Sequence, residues 1–112
     1  MAKILLVDDD TEHNEMIRGI LIPEGHHVIT TENPLEAFSM VKKDKFDLVL
    51  CDEVMPEMLG RELMRKINSE IMDPPVVLIL TGYVEIATLD TTYLLKPINN
   101  VELLSVIAVK VD

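Results

Sequence analysis

Five short apolar runs are spaced along the chain, and most are continuous rather than alternating with polar residues. They cover Lys3 to Val7, His27 to Thr31, Asp47 to Cys51, Val76 to Leu80 and Tyr93 to Leu95. Continuous runs of this length are typical of strands covered on both faces, as in a parallel sheet. The pattern therefore predicts five buried parallel strands.

Segments with helical spacing of apolar residues separate these runs and follow the last one. In the first and last segments the apolar face is predicted to comprise Met16, Ile17, Ile20 and Leu21, and Val101, Leu104, Ile107 and Ala108. Prolines such as Pro23 and Pro34 fall between the segments, where they stop or open helices. With 112 residues, the chain is predicted to be one domain over residues 1–112, an α/β (βα)₅ doubly wound sheet of the flavodoxin-like class.

Polar side chains follow four of the predicted strands. They are Asp8, Asp9, Asp52, Thr81 and Lys96. Right-handed crossovers make all parallel strands finish at one edge of the sheet, where ligands bind. These side chains are therefore expected to converge in one cleft.

Charge and composition exclude several classes of function. Twenty acidic against ten basic side chains give a formal charge of −10, which opposes binding to nucleic acid by this chain alone. Apolar runs such as "VVLIL" are too short to span a bilayer, and the N-terminus lacks a signal-peptide core, so we expect a cytoplasmic protein without a membrane segment. Cys51 is the only cysteine and is expected to be a buried hydrophobe.

Three carboxylates in one cleft repel by several kcal/mol at an effective dielectric of about 20. Lys96 supplies one positive charge and a divalent ion two, which favours Mg²⁺ (or Mn²⁺) and a phosphoryl group as the guest. Asp52 is then the candidate nucleophile and Thr81 a hydroxyl donor. Histidine is not required for this chemistry, and no role is predicted for the three histidines.

Each of these residues also has a plain structural interpretation. Asp9 and Glu12 have the spacing of a capping box at a helix start, and Asp10 is expected to be capping or solvated. Thr81 alone is typical of a turn, and Lys96 alone of a loop. Their occurrence together at the strand ends of one topology favours the site.

Four motifs carry a resemblance that covers essentially the whole chain. They are "ILLVDDD", "DLVLCDEVMPEMLG", "VVLILTG" and "YLLKP". They resemble the acidic strand, the phospho-acceptor strand, the Thr-small pair and the Lys-Pro element of the receiver domain of two-component response regulators. The resemblance implies the strand order 2-1-3-4-5.

The resemblance also implies a ligand set and a reaction. Asp52 would accept a phosphoryl group from a histidine kinase or phosphotransfer protein. Asp9 and Asp52 would bind Mg²⁺ directly, Asp8 would act through water, and the backbone carbonyl of Val54 would supply a further ligand.

A switch is implied as well. Thr81 and Tyr93 would form the switch pair, with the hydroxyl moving toward the phosphoryl group and the ring turning inward. Lys96 would pair with phosphoryl oxygens and precede a cis bond to Pro97.

The chain departs from the family between Thr81 and Tyr93, where only eleven residues lie. A crossover needs at least about 10–12 residues including its helix. Several residues of this stretch are poor helix formers, namely Thr88, Asp90, Thr91 and Thr92. We therefore predict a shortened or irregular fourth helix and an altered output face.

One further position departs from the usual pattern, and two others lie where the family varies. Leu59 replaces the usual aspartate before Gly60, which removes an N-cap worth about 1 kcal/mol. Val54 and Tyr83 occupy positions that control access of water to the acyl phosphate, and their apolar and aromatic side chains predict slow self-dephosphorylation.

The leading hypothesis is a phosphorylatable receiver that catalyses only its own phosphorylation and dephosphorylation and is otherwise not an enzyme. It would be a stand-alone protein that acts through another protein, or a domain excised from a longer one. One alternative is a binding module without switching. Another is a Mg²⁺-dependent aspartyl-phosphate phosphatase, although Asp52 lacks the D-x-D pattern of such enzymes.

Overall fold

The computed structural model describes residues 1–89 and 92–111 and contains one five-stranded sheet. Its strands are β1 (Lys3–Val7), β2 (His27–Thr31), β3 (Leu48–Asp52), β4 (Val76–Thr81) and β5 (Tyr93–Leu95). All neighbouring strands pair in parallel, in the order β2-β1-β3-β4-β5. The predicted doubly wound sheet and its strand order are confirmed.

Helices follow each strand. They are α1 (Thr11–Leu21), α2 (Pro34–Lys43), α3 (Gly60–Glu70), α4 (Val84–Leu89) and α5 (Asn100–Val111), with a 3₁₀ turn over Ile22–Glu24. Across residues 1–89 and 92–111, none of these helices has the length and apolar content that a bilayer-spanning segment requires.

Alternate residues of the strands face two apolar layers. On one face, Leu6 of β1 and Leu50 of β3 pack in a cluster that includes Ile17 of α1 and Leu103 of α5. On the other face, Leu5 of β1 and Val49 of β3 pack in a cluster that includes residues of α2 and α3. Because both faces are covered, the central strands β1, β3 and β4 are apolar at nearly every position, as their continuous sequence pattern predicts.

The helix faces match the prediction less well than the strands. Met16 of α1 is 49% exposed and Val101 of α5 is 75% exposed, although both were predicted to face the core. The buried residues of α5 are Leu103 and Ile107. This helix is apolar nearly all round, so its sequence period does not identify the side that packs.

Two expectations concern the segments around β5. Among the described residues, helix α4 contains six, against ten to twelve in each of the other α-helices, so the predicted shortening is confirmed. Asp90 and Thr91, which were predicted to be poor helix formers, lie outside the described residues. The peptide bond between Lys96 and Pro97 is cis, as the resemblance implied.

Candidate functional site

The ends of β1 and β3 bring three carboxylates together. Val7 lies opposite Cys51 in the sheet, so the next residues, Asp8 and Asp52, are neighbours at its carboxyl edge. One oxygen from each of Asp8, Asp9 and Asp52 lies within 4.8 Å of the other two. The predicted convergence of these three acids is confirmed.

This donor set fits a hard divalent cation. Asp8 and Asp52 are buried, whereas Asp9 is exposed, so the cluster is open to solvent on one side. Carboxylate oxygens are ligands that Mg²⁺ and Mn²⁺ take in proteins, and Mg²⁺ also keeps several waters. Because Asp9 is exposed, water can reach the cluster from that side.

Lys96 brings a positive charge to the acids, as predicted. Its Nζ forms an ion pair with Oδ1 of Asp52. Burial raises the pKa of the Asp52 carboxyl above its usual range, and the negative charge of Asp8 adds to the rise. The hydrogen bond and charge of Lys96 lower this pKa but do not cancel the effect of burial.

Thr81 ends β4 at the same edge of the sheet. The Lys96 amide donates to the Thr81 carbonyl at 2.7 Å, and the buried Thr81 hydroxyl accepts the Tyr83 amide at 3.1 Å. In β5, Tyr93 lies opposite Ile79 and packs against the apolar cluster on the side of α2 and α3. The switch role of Thr81 and Tyr93 stays a prediction.

Asp9 and Asp10, which are neighbours in the acidic run before α1, have different roles. Oδ1 of Asp10 accepts the amides of Glu12 at 3.0 Å and of His13 at 3.2 Å, so Asp10 is the N-cap of α1. The capping role expected for Asp10 is confirmed. Asp9, despite its capping-box spacing, lies in the acidic cluster instead.

His13 was predicted to have no role, yet the structure places its imidazole at this site. Its Nδ1 lies 2.6 Å from Oδ2 of Asp8. The other two histidines lie elsewhere, since His26 accepts the Ala2 amide and His27 is exposed. The available sequence signal was the position of His13 in the first turn of a helix that begins just after Asp8.

Glu53 is a second residue whose contact sequence reasoning missed. Leu59, at the N-cap of α3, makes no side-chain cap, as predicted. Oε1 of Glu53 instead accepts the Arg61 amide at 3.1 Å, and Oε1 of Glu62 accepts the Leu59 amide at 2.9 Å. The expected cost of about 1 kcal/mol for a missing cap is therefore offset.

The start of α3 is also held close to the end of β3. The Gly60 amide donates to the Glu53 carbonyl at 2.8 Å. A Cβ atom on Gly60 would lie only 2.5 Å from the carbonyl oxygen of Asp52. Only glycine fits this approach, which fixes the helix against the strand end that carries Asp52.

Replacing Glu53 by alanine should lower the free energy of unfolding by roughly 2 kcal/mol, because α3 loses a cap and buried side-chain volume. Adding Leu59→Asn to that variant should restore about 1 kcal/mol, since asparagine can accept the Arg61 amide. In the wild type, Leu59→Asn should raise the free energy of unfolding only slightly, because the Arg61 amide already donates to Glu53. Urea denaturation of the wild type, the two single variants and the double variant measures these free energies. If Leu59→Asn stabilised the wild type and the Glu53→Ala variant equally, Glu53 would not be a cap.

Comparison with known proteins gives a family match over most of the chain. The model of the response regulator receiver domain matches residues 4–108. The transcriptional regulatory protein ZraR of Klebsiella oxytoca is 38% identical over 106 residues, which cover 86% of this chain and 23% of that protein. The response regulator receiver protein CpdR of Brucella abortus is 34% identical over 88 residues, covering 78% of this chain and 72% of that protein. The chain thus spans about a quarter of the length of ZraR.

Solved structures agree with this match. The response regulator TrrA from Thermotoga maritima, in complex with Mg(2+)-BeF, has a TM-score of 0.84 and 30% identity over 96% of this chain and 97% of that chain. A complex of histidine kinase ThkA with TrrA gives a TM-score of 0.87 and 29% identity over 100% of both chains. The similarity therefore covers the whole fold, including the sheet edge that carries the acids.

Proposed function

The chain belongs to the response regulator receiver domain family, and we propose that it accepts a phosphoryl group on Asp52 from a histidine kinase or phosphotransfer protein. The observation that carries this proposal is the cluster of Asp8, Asp9 and Asp52 with Lys96 paired to Asp52. The similarity to TrrA, which has been solved with a histidine kinase and with Mg(2+)-BeF, supports both a kinase partner and a divalent ion.

In the proposed reaction a carboxylate oxygen of Asp52 attacks the phosphorus of a phosphohistidine. The P–N bond breaks, its electron pair stays on the imidazole nitrogen, and an aspartyl phosphate forms. Lys96, which pairs with Asp52 before transfer, then pairs with a phosphoryl oxygen. The Thr81 hydroxyl donates a hydrogen bond to a second phosphoryl oxygen.

Mg²⁺ or Mn²⁺ would be held by the carboxylates of Asp9 and Asp52, by Asp8 through water and by the Val54 carbonyl. When bound, the ion supplies the two positive charges that, with Lys96, balance the three carboxylates and stabilise the charge on the transferring group. The chain's own residues orient the acceptor and catalyse no reaction on other substrates.

The proposed output is a switch at the face formed by α4, β5 and α5. Thr81 would move toward the phosphoryl group, and the ring of Tyr93 would turn inward behind it. The altered face would then bind a protein target or act on a further domain of a longer chain. The size of α4 makes this face smaller than that of a receiver with a full fourth helix.

The same short helix favours a second candidate, a binding module that does not switch. Backbone amide chemical shifts of the protein with and without Mg²⁺ and beryllofluoride, a stand-in for the phosphoryl group, separate the two. A switching receiver shows shift changes in α4 and β5 as well as around Asp52. Changes confined to the surroundings of Asp52 would favour the module.

Slow self-dephosphorylation is a further prediction at this site. Val54 is 62% and Tyr83 60% exposed, and neither carries the amide or carboxylate that would orient an attacking water. The double variant Val54→Asn with Tyr83→Glu should shorten the lifetime of the aspartyl phosphate severalfold, because both new side chains can orient an attacking water. Phosphate release after removal of the donor measures this lifetime. The control Val54→Ala with Tyr83→Phe adds no such group, and an unchanged lifetime in the polar variant would contradict the prediction.

A further inference from the structure

Every polar atom of Asp8 has a hydrogen-bond partner. Its amide donates to the Thr31 carbonyl at 3.2 Å, and its carbonyl accepts Nδ2 of Asn14 at 3.0 Å. Its Oδ1 accepts the Asp10 amide at 3.0 Å, and its Oδ2 lies 2.6 Å from Nδ1 of His13. Backbone and carboxylate are thus both fixed, and three of the four partners belong to the N-cap and first turn of α1.

Only one of the two carboxylate contacts comes from a side chain that can be exchanged. The Asp10 amide is part of the backbone, whereas the His13 ring can be removed without changing the chain path. A carboxylate oxygen only accepts hydrogen bonds, so Nδ1 of His13 is the donor. The side chains of His13 and Asp8 are only 18% and 6% exposed, so this bond is largely shielded from water.

The contact lies on the side of Asp8 that faces α1. Each carboxylate oxygen has two lone-pair directions, so one on each oxygen remains for the cluster with Asp9 and Asp52. Without the imidazole the carboxylate is held by the Asp10 amide alone and can rotate away from the cluster. Outer hydrogen bonds that orient the groups of a metal site commonly change metal affinity by about 10–100-fold.

We propose that His13 is a positioning residue that fixes the Asp8 carboxylate and thereby sets the affinity of the acidic cluster for Mg²⁺. This inference rests on the proposed function, in which the cluster holds that ion. His13 does not contact the ion or the phosphoryl group, and it acts through Asp8.

Three variants test the proposal. His13→Leu fills a similar volume without a donor, while His13→Asn places an amide nitrogen near the position of Nδ1. His27→Leu serves as the matched control, because it removes an exposed histidine at the amino end of β2, whereas the acidic cluster lies at the carboxyl edge of the sheet. Calorimetric titration of each unphosphorylated protein with MgCl₂ gives the dissociation constant, and thermal unfolding without metal checks that each variant is folded.

We expect His13→Leu to weaken Mg²⁺ binding about tenfold, and His13→Asn and His27→Leu to stay within about twofold of the wild type. A wild-type constant for His13→Leu would overturn the proposal. Tighter binding by His13→Leu would also overturn it, because His13 would then act as a repelling cation. If the wild type itself binds no Mg²⁺, the proposed function fails first, so the two failures are distinguishable.

Discussion

Substitution of Asp9 by asparagine is expected to weaken Mg²⁺ binding by roughly 100-fold. Asp9 is the exposed member of the acidic cluster, where its oxygen lies within 4.8 Å of those of Asp8 and Asp52. A unit charge beside a divalent ion is worth several kcal/mol even at an effective dielectric of about 20, and each 1.4 kcal/mol is tenfold in affinity. Because Asp9→Asn also relieves repulsion with Asp8 and Asp52, the metal-free protein should be at least as stable as the wild type.

The next residue provides the control for charge. Asp10→Asn removes the same charge one position along the chain, and asparagine caps a helix about as well as aspartate. The Asp10 carboxylate accepts the Glu12 amide rather than joining the cluster, so this variant should lose only a few-fold in Mg²⁺ affinity. Calorimetric titration of both variants makes the comparison, and equal losses would mean that overall charge, not ligation by Asp9, determines binding.

Asp52→Asn should stabilise the metal-free protein at neutral pH, although it removes the partner of Lys96. Burial is the largest effect on the pKa of Asp52 and raises it, with the charge of Asp8 acting in the same direction. The ionised carboxylate is therefore less stable in the folded protein than in the unfolded chain. Asparagine resembles the protonated acid and avoids this cost.

The sign of the pH dependence follows from the raised pKa. Proton binding by Asp52 favours the folded state below its ordinary pKa near 3.8, and this contribution is lost as the pH rises through the raised value. The stabilisation by Asp52→Asn should thus be small at low pH, increase as the pH rises through the raised pKa of Asp52, and then stay constant. Urea denaturation without metal at several pH values measures it.

Asp44 offers a control, because its pKa is shifted in the direction opposite to that of Asp52. Its pKa is lowered, chiefly by a hydrogen bond from Lys3, so its charge favours the folded state. Asp44→Asn should therefore give no stabilisation at neutral pH. If Asp52→Asn were destabilising at neutral pH and its effect did not grow with pH, the Lys96 pair would outweigh the burial of the carboxylate.

The sheet and the acidic cluster could be predicted because they depend on short patterns. Continuous apolar runs define strands covered on both faces, and parallel strands end at one edge. Asp8, Asp52 and Lys96 each follow or end such a run, so their meeting requires only the topology. Strand β3 shows the limit of this reasoning, since it runs over Leu48–Asp52 and is one residue later than the predicted Asp47 to Cys51.

Contacts that depend on how a loop or helix turn folds back were not predictable in this way. The bond from His13 to Asp8 needs the first turn of α1 to lie over the end of β1. The cap that Glu53 gives to the Arg61 amide spans eight residues across a loop. In both cases the side chain's partner is set by tertiary packing, which no local spacing encodes.

Asp52 is proposed to be phosphorylated in a reaction that needs a divalent ion. Intact-mass spectrometry of the wild type and of Asp52→Asn after incubation with acetyl phosphate, with and without Mg²⁺, tests it most directly. We expect a mass gain of one phosphoryl group only for the wild type with Mg²⁺. A gain by Asp52→Asn, or no gain by a wild type that binds Mg²⁺, would contradict it.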